Sequence, residues 1–131
     1  GDQTIGTATT ALTPSVTYTS IDIGTSSTSE TVSGAAGQVI FTDDATKNSF
    51  VKITNFGSDD LIRVTGATSY NFAKGDLDGD GTADDLSISS RNPDTSIMNE
   101  IFVLNAVSPE AFIFDRASAV SAVGFNFIAF G

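Results

Sequence analysis

Phe50-Val51-Lys52-Ile53-Thr54-Asn55-Phe56, then Gly57-Ser58-Asp59-Asp60, then Leu61-Ile62-Arg63-Val64-Thr65 sets two strand-like segments on either side of a short polar connection. Both flanks are β-type segments, rich in Val, Ile, Thr and Phe, side chains that suit a pleated, half-buried surface. The four residues between them are turn formers, and two strands so joined predict a β-hairpin.

The same punctuation continues outward in both directions. Upstream, Gln38 to Thr42 is a short buried strand followed by a turn over Asp43 to Asn48. Before it, Thr25 to Gly37 is a loop or weak edge strand, rich in Ser, Thr, Gly and Ala. Val16 and Tyr18 alternate with Thr17 and Thr19, and Ile21 and Ile23 flank Asp22, which is the period of a strand. Residues 1–14 are Thr-rich and read as an N-terminal strand or arm. Downstream, Tyr70 to Ala73 and Leu86 to Ser90 are strands flanking an acidic loop, and Asn92-Pro93-Asp94 is a turn. Ile97, Ile101 and Val103 share one face of the next strand, and Ala111 to Phe114 follows.

Asp115 to Val123 is the single helical candidate, capped by Asp115 or Ser118 and stopped at Gly124. Phe125 to Phe130 closes the chain as a strand apolar on both faces. About nine short strands, spaced by turn residues and without βαβ alternation, predict one all-β domain over 1–131: an antiparallel β-sandwich, jelly-roll or Greek-key like, with at most one short helix. No internal repeat marks a solenoid, and the glycine-rich nonapeptide of calcium β-rolls does not occur.

Cysteine is absent, so there is neither a disulfide framework nor a thiolate metal site. The Ser- and Thr-rich composition reads as that of a secreted, extracellular protein, and the opening at Gly1-Asp2 without Met suggests that a signal peptide, leader or expression tag has been cut away. The net charge of −10, from 16 acidic against 6 basic residues, argues against nucleic acid as a partner and for cations. No run reaches the roughly 18 apolar residues of a membrane span, so no membrane insertion is expected.

Gly75-Asp76-Leu77-Asp78-Gly79-Asp80-Gly81-Thr82-Ala83-Asp84-Asp85 carries carboxylates at loop positions 1, 3, 5 and 9 and Gly at position 6. A calcium ion takes six to eight oxygens, and a loop coiling round it presents alternate side chains inward. Asp76, Asp78, Asp80 and Asp84 are therefore the candidate calcium ligands, with Thr82 contributing its backbone carbonyl past the turn at Gly81. Position 12 is Ser87 where a helix-loop-helix site has a bidentate Glu, and the flanks are strands. Asp43-Asp44 and Asp59-Asp60, with Glu100 or Asp115, are candidates for a second ion, although turn chemistry also explains them.

On these residues the loop resembles the strand-loop-strand calcium sites of integrin-type FG-GAP and bacterial VCBS repeats, which implies a structural ion rather than a sensory one. The segment from Phe50 to Ile62 is similar to non-repeat segments of secreted RTX-type bacterial surface proteins.

Without His or Cys the commonest general bases and nucleophiles are missing, and no catalytic motif is present, so no enzyme is expected. The leading expectation is a calcium-stabilised structural subunit of a cell-surface filament, surface layer or adhesin. Such a subunit forms a homo-oligomer or polymer, with a terminal segment, residues 1–12 or 125–130, donated to a neighbour. The alternative is a calcium-dependent carbohydrate-binding module, although Trp is absent, Tyr18 and Tyr70 are the only tyrosines, and the ten Phe residues read as core.

Overall fold

A computed structural model describes residues 19–23, 29–35, 37–92 and 99–130. The expected arm over 1–14, the strand start at Val16 and Tyr18, and Ile97 lie outside these residues. Nine strands and one helix are seen among them: β1 Thr19–Asp22, β2 Ser29–Ser33, β3 Val39–Asp44, β4 Ser49–Thr54, β5 Leu61–Thr65, β6 Ser69–Gly75, β7 Asp85–Arg91, β8 Asn99–Val103, α1 Arg116–Val123 and β9 Ile128–Phe130.

The strands form two sheets, ordered β1-β3-β5-β9 and β2-β4-β8-β7-β6. The all-β expectation stands, but the antiparallel one is corrected. The first sheet is parallel throughout, and in the second β2, β4 and β8 run parallel, leaving only β8-β7 and β7-β6 antiparallel.

The chain therefore winds. From β1 to β5 it alternates between the sheets, and Thr19 pairs with Val39, Ser29 with Phe50 and Ile40 with Leu61, so each turn advances 20 or 21 residues. This is a coil of the solenoid kind, built without a sequence repeat.

The stretch Phe50 to Thr65 is consequently not a hairpin. Its flanks, β4 and β5, belong to different sheets, so Val51 and Ile53 meet Ile62 and Val64 across the core rather than alongside. Two local devices turn the chain across. Asn55 takes a left-handed backbone with φ of 55°, as does Asn105 at φ of 56° after β8, so β4 and β8, neighbours in the second sheet, both leave through an Asn corner. Asp60, buried, then accepts from the amides of Gly57 at 2.8 Å and of Val39, one turn earlier, at 2.9 Å.

Successive turns are also stitched by threonine. The hydroxyls of Thr42, Thr54 and Thr65 donate to the carbonyls of Ile21, Val32 and Asp43, each in the strand before. Between the sheets, Phe41, Ile62, Val64 and Ile128 oppose Val51, Ile53, Ile88 and Ile101, all essentially without solvent contact.

Gly34 sits where the turns approach most closely. A Cβ there would stand 2.6 Å from Asp60 Oδ2 and 2.9 Å from the Asn55 carbonyl oxygen. Gly34→Ala is therefore expected to destabilise the fold by about 1–3 kcal/mol, as other forced insertions into packed sites do, read as a lowered denaturant midpoint.

The helix forms as its sequence predicts. Asp115 is the N-cap in a capping box with Ser118, which holds the Asp115 carboxyl below its ordinary pKa, and Gly124 closes the C-terminus at φ of 99°.

Candidate metal centre

β6 and β7 pair antiparallel down to Gly75 opposite Asp85, and the nine residues between them coil into the acidic loop. Its path is set by carboxylates accepting backbone amides. Asp76 takes the amides of Gly79 at 2.9 Å and Gly81 at 3.0 Å, while Asp78 takes that of Asp80 and Asp80 that of Thr82. Gly79 and Gly81 make the tight coil possible, because both stand in the left-handed region at φ of 76° and 89°, where a side chain is strained.

Two sets of carboxylate oxygens converge, each lying within 4.8 Å of one another: Asp76, Asp78 and Asp85, and Asp78, Asp80 and Asp84. Asp78 belongs to both. Four of the five expected ligand residues are thus gathered by the loop. Thr82, exposed between them, enters through its amide, which donates to Asp80 at 2.9 Å. An acidic cluster with this geometry is able to hold a metal ion, and its all-oxygen donor set suits a hard cation.

Asp85 was not among the expected ligands. It is fully buried, and it ties the loop to the sheet: Oδ2 accepts from the amides of Leu77 at 2.7 Å and Asp78 at 3.2 Å, and Oδ1 from Asn105 at 2.8 Å. The left-handed Asn105 after β8 is thereby part of the site. Its side chain, with Nδ2 turned toward Asp84, donates to both carboxylate oxygens at 3.1 and 3.3 Å, and Asp84 accepts the Val107 amide on its carbonyl. Ser87 at the twelfth position lies within β7, paired with Ala73 and Phe102.

Carboxylates this close raise one another's proton affinity. The pKa values of Asp78 and Asp84 are both raised, first by loss of solvation and then by their acidic neighbours, Asp85 and Asp80 among them. A bound cation removes that repulsion.

In each of the other acidic pairs one member does turn chemistry. Asp44 accepts from the amide and hydroxyl of Thr46, which lowers its pKa, Asp60 closes the turn from Gly57, and Asp115 caps α1. Glu100 accepts from Ser89 across the β7-β8 pair. No family model, curated protein or solved structure matches this chain.

Proposed function

We propose that this chain is a calcium-stapled structural subunit of a secreted, cell-surface assembly, stacking on its own copies through the end of the coil formed by β1 and β2. The observation that carries this reading is the difference between the two ends. At one end the parallel coil is closed: the antiparallel β6-β7 hairpin extends the second sheet, Arg116 of α1 donates to the Ile128 carbonyl of β9 at 2.8 Å, and Tyr70 stacks on Phe130 at 3.9 Å. Solenoids need such caps. At the other end, among the described residues, β1 and β2 are both edge strands and largely exposed, a pair of parallel edges able to template another turn.

Calcium belongs to this reading as the staple of the closed end. Its coordination demand of six to eight oxygens matches a loop that brings five carboxylates together between two strands.

The Gly34 amide donates to the Thr54 carbonyl, so alternate amides of β2 face β4 and that of Thr31 faces the open edge. Thr31→Pro therefore blocks the edge without removing a bond of the ladder. With calcium, electron microscopy and size-exclusion chromatography of the wild type are expected to show filaments or higher oligomers. The variant should be a monomer with an unchanged circular dichroism spectrum. A wild-type protein that stays monomeric at high concentration in calcium defeats the proposal.

Glycan binding is the second reading, and one observation favours it. Phe112 and Phe114 are 83% and 66% exposed, against the expectation that every Phe is core; their rings lie 5.6 Å apart, and Phe112 lines a recess of about 370 Å³ with Ser108 and Ser121. Binding on a glycan array that is abolished by Phe112→Ala would favour this reading over the first.

A further inference from the structure

The core is apolar in two of its layers and polar in the third. In that layer sheet one contributes Asp43, with Val64 and Phe130 following it across the ladder, and sheet two contributes Ser49, Asn99, Ser90 and Tyr70 in register. Asp43, Asn99 and Ser90 are 3%, 2% and 1% exposed.

Half of the hydrogen-bonding groups here are satisfied. Asn99 Nδ2 donates to Asp43 Oδ1 at 3.1 Å and to the carbonyls of Asp44 and Lys47, closing the turn after β3, and the Ser49 hydroxyl donates to Asp43 Oδ1 at 3.3 Å. Three buried oxygens have no partner: Asp43 Oδ2, Asn99 Oδ1 and Ser90 Oγ. Two of these are pure acceptors on planar groups already joined through their other atoms, an arrangement that costs stability unless a donor lies between them. Three oxygens are too few for calcium, which needs at least six, whereas one proton serves two of them.

We propose that Asp43 is a proton-binding site: as the neutral acid its Oδ2 hydroxyl donates to Asn99 Oδ1, completing a paired acid–amide latch between the two sheets, and ionisation opens that latch. Protonation adds one hydrogen to Oδ2 and turns a partnerless acceptor into a donor, on a side chain already bonded to Asn99 through its other oxygen.

The surroundings favour the neutral form. Facing Asp43 are Ile23 and Val64 from the strands on either side, and the uncharged Ser49, Asn99 and Ser90 from the opposite sheet. Tyr70 is the one other titratable group among the described side chains of that layer. Arg116 of α1 lies over the Phe130 ring at its far end, 5.5 Å from the centroid. Along the chain the nearest charges are Asp44, whose repulsion favours the neutral acid, and Lys47. Burial pushes the Asp43 pKa up to about 6, against the pull of the Asn99 and Ser49 hydrogen bonds.

The folded state thus binds this proton more tightly than the unfolded chain, so the latch strengthens as pH falls from above 6 toward 4 and is lost as pH rises through 6. Carboxyl-detected carbon NMR of the full chain in EGTA should show the Asp43 carboxyl titrating with a midpoint near 6; a midpoint at ordinary carboxylate values overturns the assignment. Asp43→Asn reproduces the neutral acid's donor and acceptor without its charge. Compared with wild type in EGTA, where the loop carboxylates contribute equally to both, it should be more stable at pH 7.5, on the order of a hundredfold in the folding equilibrium, and lose that advantage by pH 4. A variant destabilised equally at both pH values means that Asp43 acts as an anion and ends the proposal. If the variant does not fold, the NMR midpoint decides alone.

Discussion

Chelation by EGTA is expected to lower the melting temperature by about 10 °C, and added calcium to restore it. At calcium one hundred times its dissociation constant, a bound ion stabilises the folded state by ~2.7 kcal/mol, which for a domain of this size amounts to about 10 °C. Here the ion acts on a loop that gathers five mutually repelling carboxylates. The effect should concentrate at the β6-β7 end, so amide exchange in EGTA should accelerate first in residues 76–84. A melting curve unchanged by EGTA, in protein stripped of metal beforehand, removes the ion from the account. Because protons compete with calcium for Asp78 and Asp84, whose pKa values are raised, affinity should weaken on acidification at a higher pH than ordinary carboxylates would give.

The features read correctly from sequence are those fixed locally. Asp115, Ser118 and Gly124 define α1 within ten residues of one another, and the spacing of Asp76, Asp78 and Asp80 with Gly81 fixes a coil whatever surrounds it. Strand pairing is different. Gly57 to Asp60 has the chemistry of a turn, and that chemistry serves a hairpin or a crossing between sheets equally well; the choice is made by Asn55 and by Asp60 reaching back to Val39, contacts with no signature in the segment itself. Nor does the winding require a repeat. Inward positions need only be apolar, so Phe41 beside Ile62 and Ile62 beside Ile128 keep register without resembling each other. Asp43 shows the same limit, since its place in a core layer depends on Asn99, 56 residues on.

Asp85→Ala should be the most damaging substitution in the loop, at about 3–5 kcal/mol, and its cost should exceed the loss of calcium. A template of positions 1, 3, 5, 9 and 12 passes over Asp85, which is tenth, yet its carboxylate bridges the loop amides of Leu77 and Asp78 to the Asn105 amide after β8. Truncation leaves three amide donors without their acceptor at a part-buried corner, each worth up to about 1–3 kcal/mol when unsatisfied, and also removes a carboxylate from the ion. The comparison that separates the two contributions is Asp80→Asn, an exposed residue whose side chain accepts only the Thr82 amide within the loop. In calcium, Asp80→Asn should melt like wild type in EGTA. Asp85→Ala should melt lower than either and be insensitive to EGTA. Equal melting temperatures for the two variants would mean that Asp85 acts only as a ligand, and that the loop is held to the sheet by the ion rather than by the carboxylate beneath it.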